Sequence, residues 1–98
     1  VPVLTLKGKS FASRVATSLL TSMSLSELVT EKLNDYEEMA LKISNNPEML
    51  DQLKDKILRN RENSNVFKPQ IFTNNIEKSY KKVYQNFIDG FSPQDFKL

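Results

Sequence analysis

Cysteine and histidine are both missing from this 98-residue chain. Their absence removes the thiol nucleophile, the usual zinc ligands and the commonest general base together. Any catalysis would fall to carboxylates, Lys, Tyr or Ser, and no metal site is expected. Glycine is scarce as well, at two residues, and that decides the reading of the opening stretch. Val1 to Leu20 reads as an apolar strand, a Gly8-Lys9-Ser10 turn and an amphipathic helix, the setting of a phosphate-binding loop of pattern G-x-x-x-x-G-K-[ST]. Counting back from Gly8, the first glycine's place is held by Val3. Without that glycine, consecutive backbone N–H groups cannot turn inward on a phosphate. The stretch therefore reads as a strand-to-helix bend with Ser10 as helix N-cap. A P-loop nucleotide hydrolase would also need a second strand ending in an acidic Mg²⁺ ligand, which the pattern does not offer.

Net charge is small: 14 Lys and Arg against 12 Asp and Glu leave +2. A nucleic-acid binder concentrates positive charge on one face, so no nucleic-acid partner is expected. No apolar run approaches the roughly 18 residues of a membrane helix, and the start lacks the layout of a signal peptide. No membrane span is expected. What is present, 39% hydrophobic and 27% charged residues, is the composition of a folded globular chain. A start at Val1 with a strand already under way reads as a segment excised from a longer protein.

The chain reads as mostly α, with one or two short strands and about four helices. Pro2 to Leu6 is a short β-prone run suited to a strand covered on both faces of a parallel sheet. A first helix is expected over Phe11 to Met23, with Phe11, Val15, Leu19 and Met23 as its apolar stripe and Ala12, Ala16 and Leu20 widening it. Ser24 to Thr30 reads as a helical turn leading into a second strand at Glu27 to Val29. Thr30 is expected to cap a second helix carrying Leu33, Tyr36, Ala40 and Ile43, with Met39 beside them, until Ser44-Asn45-Asn46-Pro47 stops it. Asn46 as N-cap, Pro47 in the first position and Glu48 behind it open a third helix, whose apolar line is Leu50, Leu53 and Ile57. Its end at Asn60 to Asn65 should fray. Thr73 is expected to cap the last helix, in which Ile76, Tyr80, Val83, Tyr84, Phe87 and Ile88 recur at helical spacing until a left-handed cap at Gly90. The tail from Phe91 should trail over a surface.

Several strings stand in an order that resembles the C-terminal segment of the protein O-GlcNAc transferase and Spindly family. They are Ala12-Ser13-Arg14-Val15, Glu27-Leu28-Val29, Asp35-Tyr36-Glu37, Asn46-Pro47-Glu48-Met49-Leu50, and Phe67 to Glu77. The resemblance covers essentially the whole chain, residues 1–98 as one segment, and rests on the ordered set rather than on any one string. It implies the C-terminal part of the donor-binding half of a Rossmann-like α/β glycosyltransferase of the two-domain B type. The parent would transfer N-acetylglucosamine from UDP-GlcNAc to Ser or Thr of proteins, or, as in relatives of the Spindly type, fucose from GDP-fucose, without a required metal. Implied partners are the rest of the transferase domain, upstream helical repeats and protein substrates, in the cytoplasm or nucleocytoplasm. The family's donor-lysine, phosphate-binding turn and ribose carboxylate match positions before Val1, so the chain alone is expected to be inactive and to hold no cofactor. Ser24 stands where relatives often have Gly, and Lys7 and Lys9 flank Gly8 where relatives carry less charge.

Ligands of open α/β sheets bind outside the carboxyl ends of the strands. Lys7, Gly8, Lys9 and Ser10 leave such an end, which makes them the candidate donor-binding residues at the edge of the cleft; the bland reading is a solvated loop. Arg14 lies a full turn inside the helix, as an ion-pair residue for a carboxylate of the missing part would. Asp35, Glu37 and Glu38 read as a solvated face rather than paired catalytic acids. Lys54, Lys56, Arg59 and Arg61 alternate with Asp51, Asp55 and Glu62, which cancels most of their field, and Lys78, Lys81 and Lys82 read as the outer face of the last helix. The aromatics Phe67, Phe72, Tyr80, Tyr84, Phe87, Phe91 and Phe96 read as packed core rather than a stacking platform. An isolated chain would leave some of that surface uncovered, and self-association would follow. A free-standing helical interaction module is the competing reading.

Overall fold

The computed structural model describes residues 1–97. These divide into two compact units, one spanning Val1–Phe67 and one beginning at Lys68. In the first unit β1 (Thr5–Leu6) leads to α1 (Ala12–Ser22), a 3₁₀ turn (Ser26–Leu28), β2 (Val29–Thr30), α2 (Leu33–Ser44), α3 (Pro47–Asn63) and a second 3₁₀ turn (Asn65–Phe67). The second unit holds α4 (Pro69–Ile88) and the tail. The strands pair in parallel, Thr5 against Val29 and Leu6 against Thr30. A parallel pair needs a crossover between its strands, and α1 supplies it, so β1-α1-β2 is a βαβ unit. The mostly helical class with two short strands stands as the sequence implied.

The core of the first unit is Leu20, Leu25, Leu28 and Leu53, with Leu4, Met23, Val29, Ile43, Met49 and Ile57 packed around it. All three helices of the unit, the first 3₁₀ turn, β2 and the residue before β1 contribute, which is how a small unit gathers enough apolar area from short pieces. Helix α1 is rotated from expectation. Leu20 is buried and Ser13, Ala16, Thr17 and Met23 are half-buried, whereas Phe11, Val15 and Leu19 face solvent. The cause lies at the start of the helix, where Gly8 approaches Ser13 so closely that a Cβ on Gly8 would meet the Ser13 Oγ at 2.4 Å. That approach sets the small-residue side of α1 inward.

The helix ends differ from expectation in instructive ways. Thr30 does not cap α2; it is a strand residue, 7% exposed, whose hydroxyl donates to the Thr5 carbonyl oxygen at 2.9 Å. Helix α2 begins three residues later, after an extended Lys32 with no side-chain cap, and its inward side is Tyr36, Met39 and Ile43, with Leu33 and Ala40 exposed. Asn46 caps α3 as expected, its Oδ1 accepting the Met49 N–H at 3.1 Å with Pro47 at the first position. The end of α3 does not fray. Asn60 Nδ2 donates to the Met23 carbonyl at 2.7 Å and the buried Ser64 hydroxyl donates to the Ser22 carbonyl at 3.0 Å, clamping it to the end of α1. Helix α4 starts at Pro69, not Thr73, because proline suits the first helical position and extends the helix upstream of the hydroxyl signal.

Two helices close on the same left-handed cap. After α1, Ser24 has φ +57°, its N–H donates to the Thr21 carbonyl at 3.0 Å, and the Leu25 N–H reaches the Leu20 carbonyl at 2.8 Å. After α4, Gly90 has φ +78°, donating to Phe87 at 3.1 Å while Phe91 donates to Asn86 at 3.0 Å. Both are Schellman motifs, and the contact of Leu25 with Leu20 in the core adds the apolar closure that often accompanies them. The aromatics expected to pack as core do not: Phe67, Phe72, Tyr80, Tyr84, Phe87 and Phe91 are exposed, and among the described residues none of the second unit is buried. Within that unit the tail returns to the helix, with the Lys82 Nζ 4.6 Å from the centre of the Phe96 ring.

Candidate functional site

Lys7 and Glu31 are the first residues beyond β1 and β2. Because the strands are parallel and in register, both leave the same, carboxyl edge of the pair. The Lys7 N–H continues the ladder by donating to the Thr30 carbonyl at 2.8 Å, and its Nζ lies 3.1 Å from a Glu31 carboxylate oxygen. Gly8 donates its N–H to the Ser13 carbonyl at 3.3 Å. Two amides of the loop are therefore committed to protein carbonyls, which leaves no run of free N–H groups to cradle a phosphate. The Ser10 Oγ accepts the Ser13 N–H at 3.4 Å and lies 2.9 Å from the Ser13 Oγ, but Ser10 is not the N-cap expected of it: Phe11 holds that position, with no side-chain cap, because the chain already turns helical there. Lys9 is exposed.

The four loop residues stand together, then, but with unequal capacity. Lys7 and Lys9 carry the charge, Gly8 permits the close approach to α1, and Ser10 and Ser13 hold the bend. Arg14 is exposed on α1 and takes part in none of the ion pairs among the described residues. Asp35, Glu37 and Glu38 are exposed on α2. Asp35 and Glu38, with Glu27, Glu31, Lys32 and Lys42, line an open groove of about 510 Å³ beside β2. Among the described residues no three carboxylates converge as a metal site would require.

Sequence reasoning missed the long-range pairs. Lys56 Nζ lies 2.5 Å from a Glu27 oxygen, across 29 residues of chain, and Lys7 meets Glu31 across 24. Burial pushes the Glu27 carboxyl up, but the hydrogen bond from Lys56, a backbone hydrogen bond and the Lys56 charge outweigh it, and the pKa is lowered from its ordinary 4.5. No local periodicity encodes such pairs; the only signal for Lys7 with Glu31 was that each follows a β-prone run.

A parallel βαβ unit with a loop of mixed charge at its carboxyl edge is a building block of nucleotide-binding α/β domains. The comparisons with known proteins specify which. The model of glycosyl transferase family 41 matches residues 1–76, and the chain belongs to that family. It is similar to the probable UDP-N-acetylglucosamine–peptide N-acetylglucosaminyltransferase SPINDLY of Hordeum vulgare, 30% identical over 95% of this chain. It is also similar to the probable enzyme of the same description, SEC, of Arabidopsis thaliana, 31% identical over 100% of this chain. The UDP-N-acetylglucosamine–peptide N-acetylglucosaminyltransferase of Caenorhabditis elegans is 26% identical over 91% of it. The chain spans 10% of the length of the two plant relatives and 8% of that of the third.

Proposed function

We propose that the chain is the C-terminal part of the donor-binding half of a protein O-glycosyltransferase that moves N-acetylglucosamine from UDP-GlcNAc to Ser or Thr hydroxyls. The observation that carries this reading is the match of the family model across β1, α1, β2, α2 and α3. The relatives' printed names supply the donor and the peptide acceptor. In this reading the chain supplies scaffold: it extends the parallel sheet, orients the loop Lys7 to Ser10 at the edge of the donor cleft, and leaves the groups that perform transfer to the rest of the polypeptide. Upstream helical repeats select protein substrates, and the protein works in the cytoplasm or nucleocytoplasm. The exposed aromatics of α4 also suit a free-standing interaction module, but such a module has no need of a parallel βαβ unit.

The test is transfer of labelled sugar from UDP-GlcNAc or GDP-fucose to an acceptor peptide, run with the 98-residue chain and with the intact transferase that carries it. Incorporation from UDP-GlcNAc by the intact protein alone is expected. Incorporation by the 98-residue chain overturns the scaffold role, and incorporation from GDP-fucose overturns the donor.

A further inference from the structure

We propose that Glu31 is a specificity-determining residue that governs how much of the Lys7 charge is available to an anionic ligand at the carboxyl edge of β1 and β2. This rests on the reading of that edge as the rim of the donor cleft, and it concerns the phosphate-bearing part of the donor. Register places the two residues: Leu6 pairs with Thr30, so the next residues stand side by side as the strands end. The pair is 3.1 Å apart, with side chains 37% and 72% exposed. A surface pair of this kind is weak and exchanges readily with solvent. A diphosphate, with more charge and more acceptor oxygens than one carboxylate, displaces Glu31 from Lys7.

The surroundings make the competition matter. Glu31 faces the groove that Glu27, Asp35 and Glu38 also line. Glu27 is already paired with Lys56, whereas Asp35 and Glu38 appear in none of the ion pairs among the described residues. Lys32 and Lys42 line the same groove and balance Asp35 and Glu38, so an anion approaching from the groove side meets no net attraction, whereas one approaching from the loop side meets Lys9 and, once released, Lys7. Glu31 stands between the charge-balanced groove and the basic loop, so its charge sets the affinity of the loop side for a phosphate group.

UDP binding to the intact transferase, measured by calorimetry at low and moderate salt, tests this with three variants. Glu31→Gln should tighten UDP by about two- to fivefold and leave uridine binding unchanged, because only the phosphates meet Lys7. Lys7→Met should weaken UDP by about tenfold and remove the effect of Glu31→Gln when the two are combined. If Lys7→Met weakens UDP but Glu31→Gln changes nothing, Lys7 binds the anion without competition and the proposal fails while the cleft reading stands. If neither variant changes UDP affinity although the intact protein binds UDP, the loop is not at the donor and both fail. Thermal melting of each variant separates a lost fold from a lost contact.

Discussion

The unit Val1–Phe67 and the unit that begins at Lys68 carry apolar patterns of similar regularity and place them in opposite environments. Leu20, Leu25, Leu28 and Leu53 of the first close on one another, drawn from α1, the turn before β2, and α3. Tyr80, Val83, Tyr84, Phe87 and Ile88 of the second recur at helical spacing along α4 and remain exposed. Helical periodicity states that residues share a face; it does not state that anything packs on that face. Burial needs a second element that brings its own apolar side to the same place. Short strands, turns and three helices do this for the first unit; within the second, the tail is what the described residues set against α4.

The largest expected effect separates the units directly. Leu28 is 1% exposed, and Leu28→Ala should destabilise the chain by about 2–5 kcal/mol, since it opens a cavity in a core too small to redistribute around it. Phe87 is 77% exposed, and Phe87→Ala should shift stability by no more than about 0.5 kcal/mol despite removing more atoms. Urea denaturation followed by circular dichroism reads both. A loss of more than about 1 kcal/mol at Phe87 would break the comparison by showing that its face is covered in solution.

Next in size is the clamp at the end of α3. Ser64→Ala leaves the Ser22 carbonyl without its donor and the Val66 N–H without its 3.2 Å acceptor. In a buried setting this should cost about 1–3 kcal/mol. Gln85 in α4 makes a similar amide contact to Asp89 at 2.9 Å, but on an exposed surface. Gln85→Ala should cost only a few tenths of a kcal/mol. Equal losses at the two sites would mean that solvent reaches the Ser64 clamp.

The two left-handed caps sharpen the comparison further. At Ser24 the backbone pays a steric penalty that glycine avoids, so Ser24→Gly should stabilise by about 0.5–1 kcal/mol. At Gly90 a Cβ meets nothing within 4 Å, so Gly90→Ala should lose about 1 kcal/mol for backbone reasons alone. Melting temperatures should move in opposite directions, and movement in the same direction would refute the shared cap geometry.

Much of this was legible in the sequence, and the residues show where legibility stopped. Asn46-Pro47-Glu48 announced the start of α3 and Gly90 the end of α4, because caps are local chemistry written within four residues. Family membership was legible for a different reason, since ordered strings along the chain identify a relative without any knowledge of packing. What failed was what depends on distant partners. Phe11, Val15 and Leu19 read as one stripe with Ala16, Leu20 and Met23, yet only the last three turn inward, on the side where Gly8 closes on Ser13. Thr30 carries an N-cap side chain, yet its hydroxyl went to Thr5, because a strand paired there. The candidate loop was found by its position after a strand, but its Glu31 partner and the committed amides of Lys7 and Gly8 came only with the second strand in place.

The smallest expected effect concerns the Glu27–Lys56 pair, which joins the turn before β2 to α3 and has no counterpart in the second unit among the described ion pairs. The Glu27 pKa is lowered on folding, so the folded state binds a proton less readily than the unfolded one. The stabilisation is therefore fully present above the unfolded carboxylate value near 4.5 and is lost as pH falls through the lower folded value. With side chains 36% and 38% exposed, solvent holds the pair to about 0.2–1 kcal/mol. Glu27→Gln should lower stability at pH 7 by that amount and make the chain less sensitive to acidification below pH 5. Lys56→Met should do the same, and the double variant should lose little more than either single one. Raised salt should narrow the gap between wild type and variants. If Glu27→Gln instead raises stability at pH 7, the desolvation of the carboxylate outweighs its pairing, and the turn before β2 is held to α3 by Leu28 and Leu53 alone.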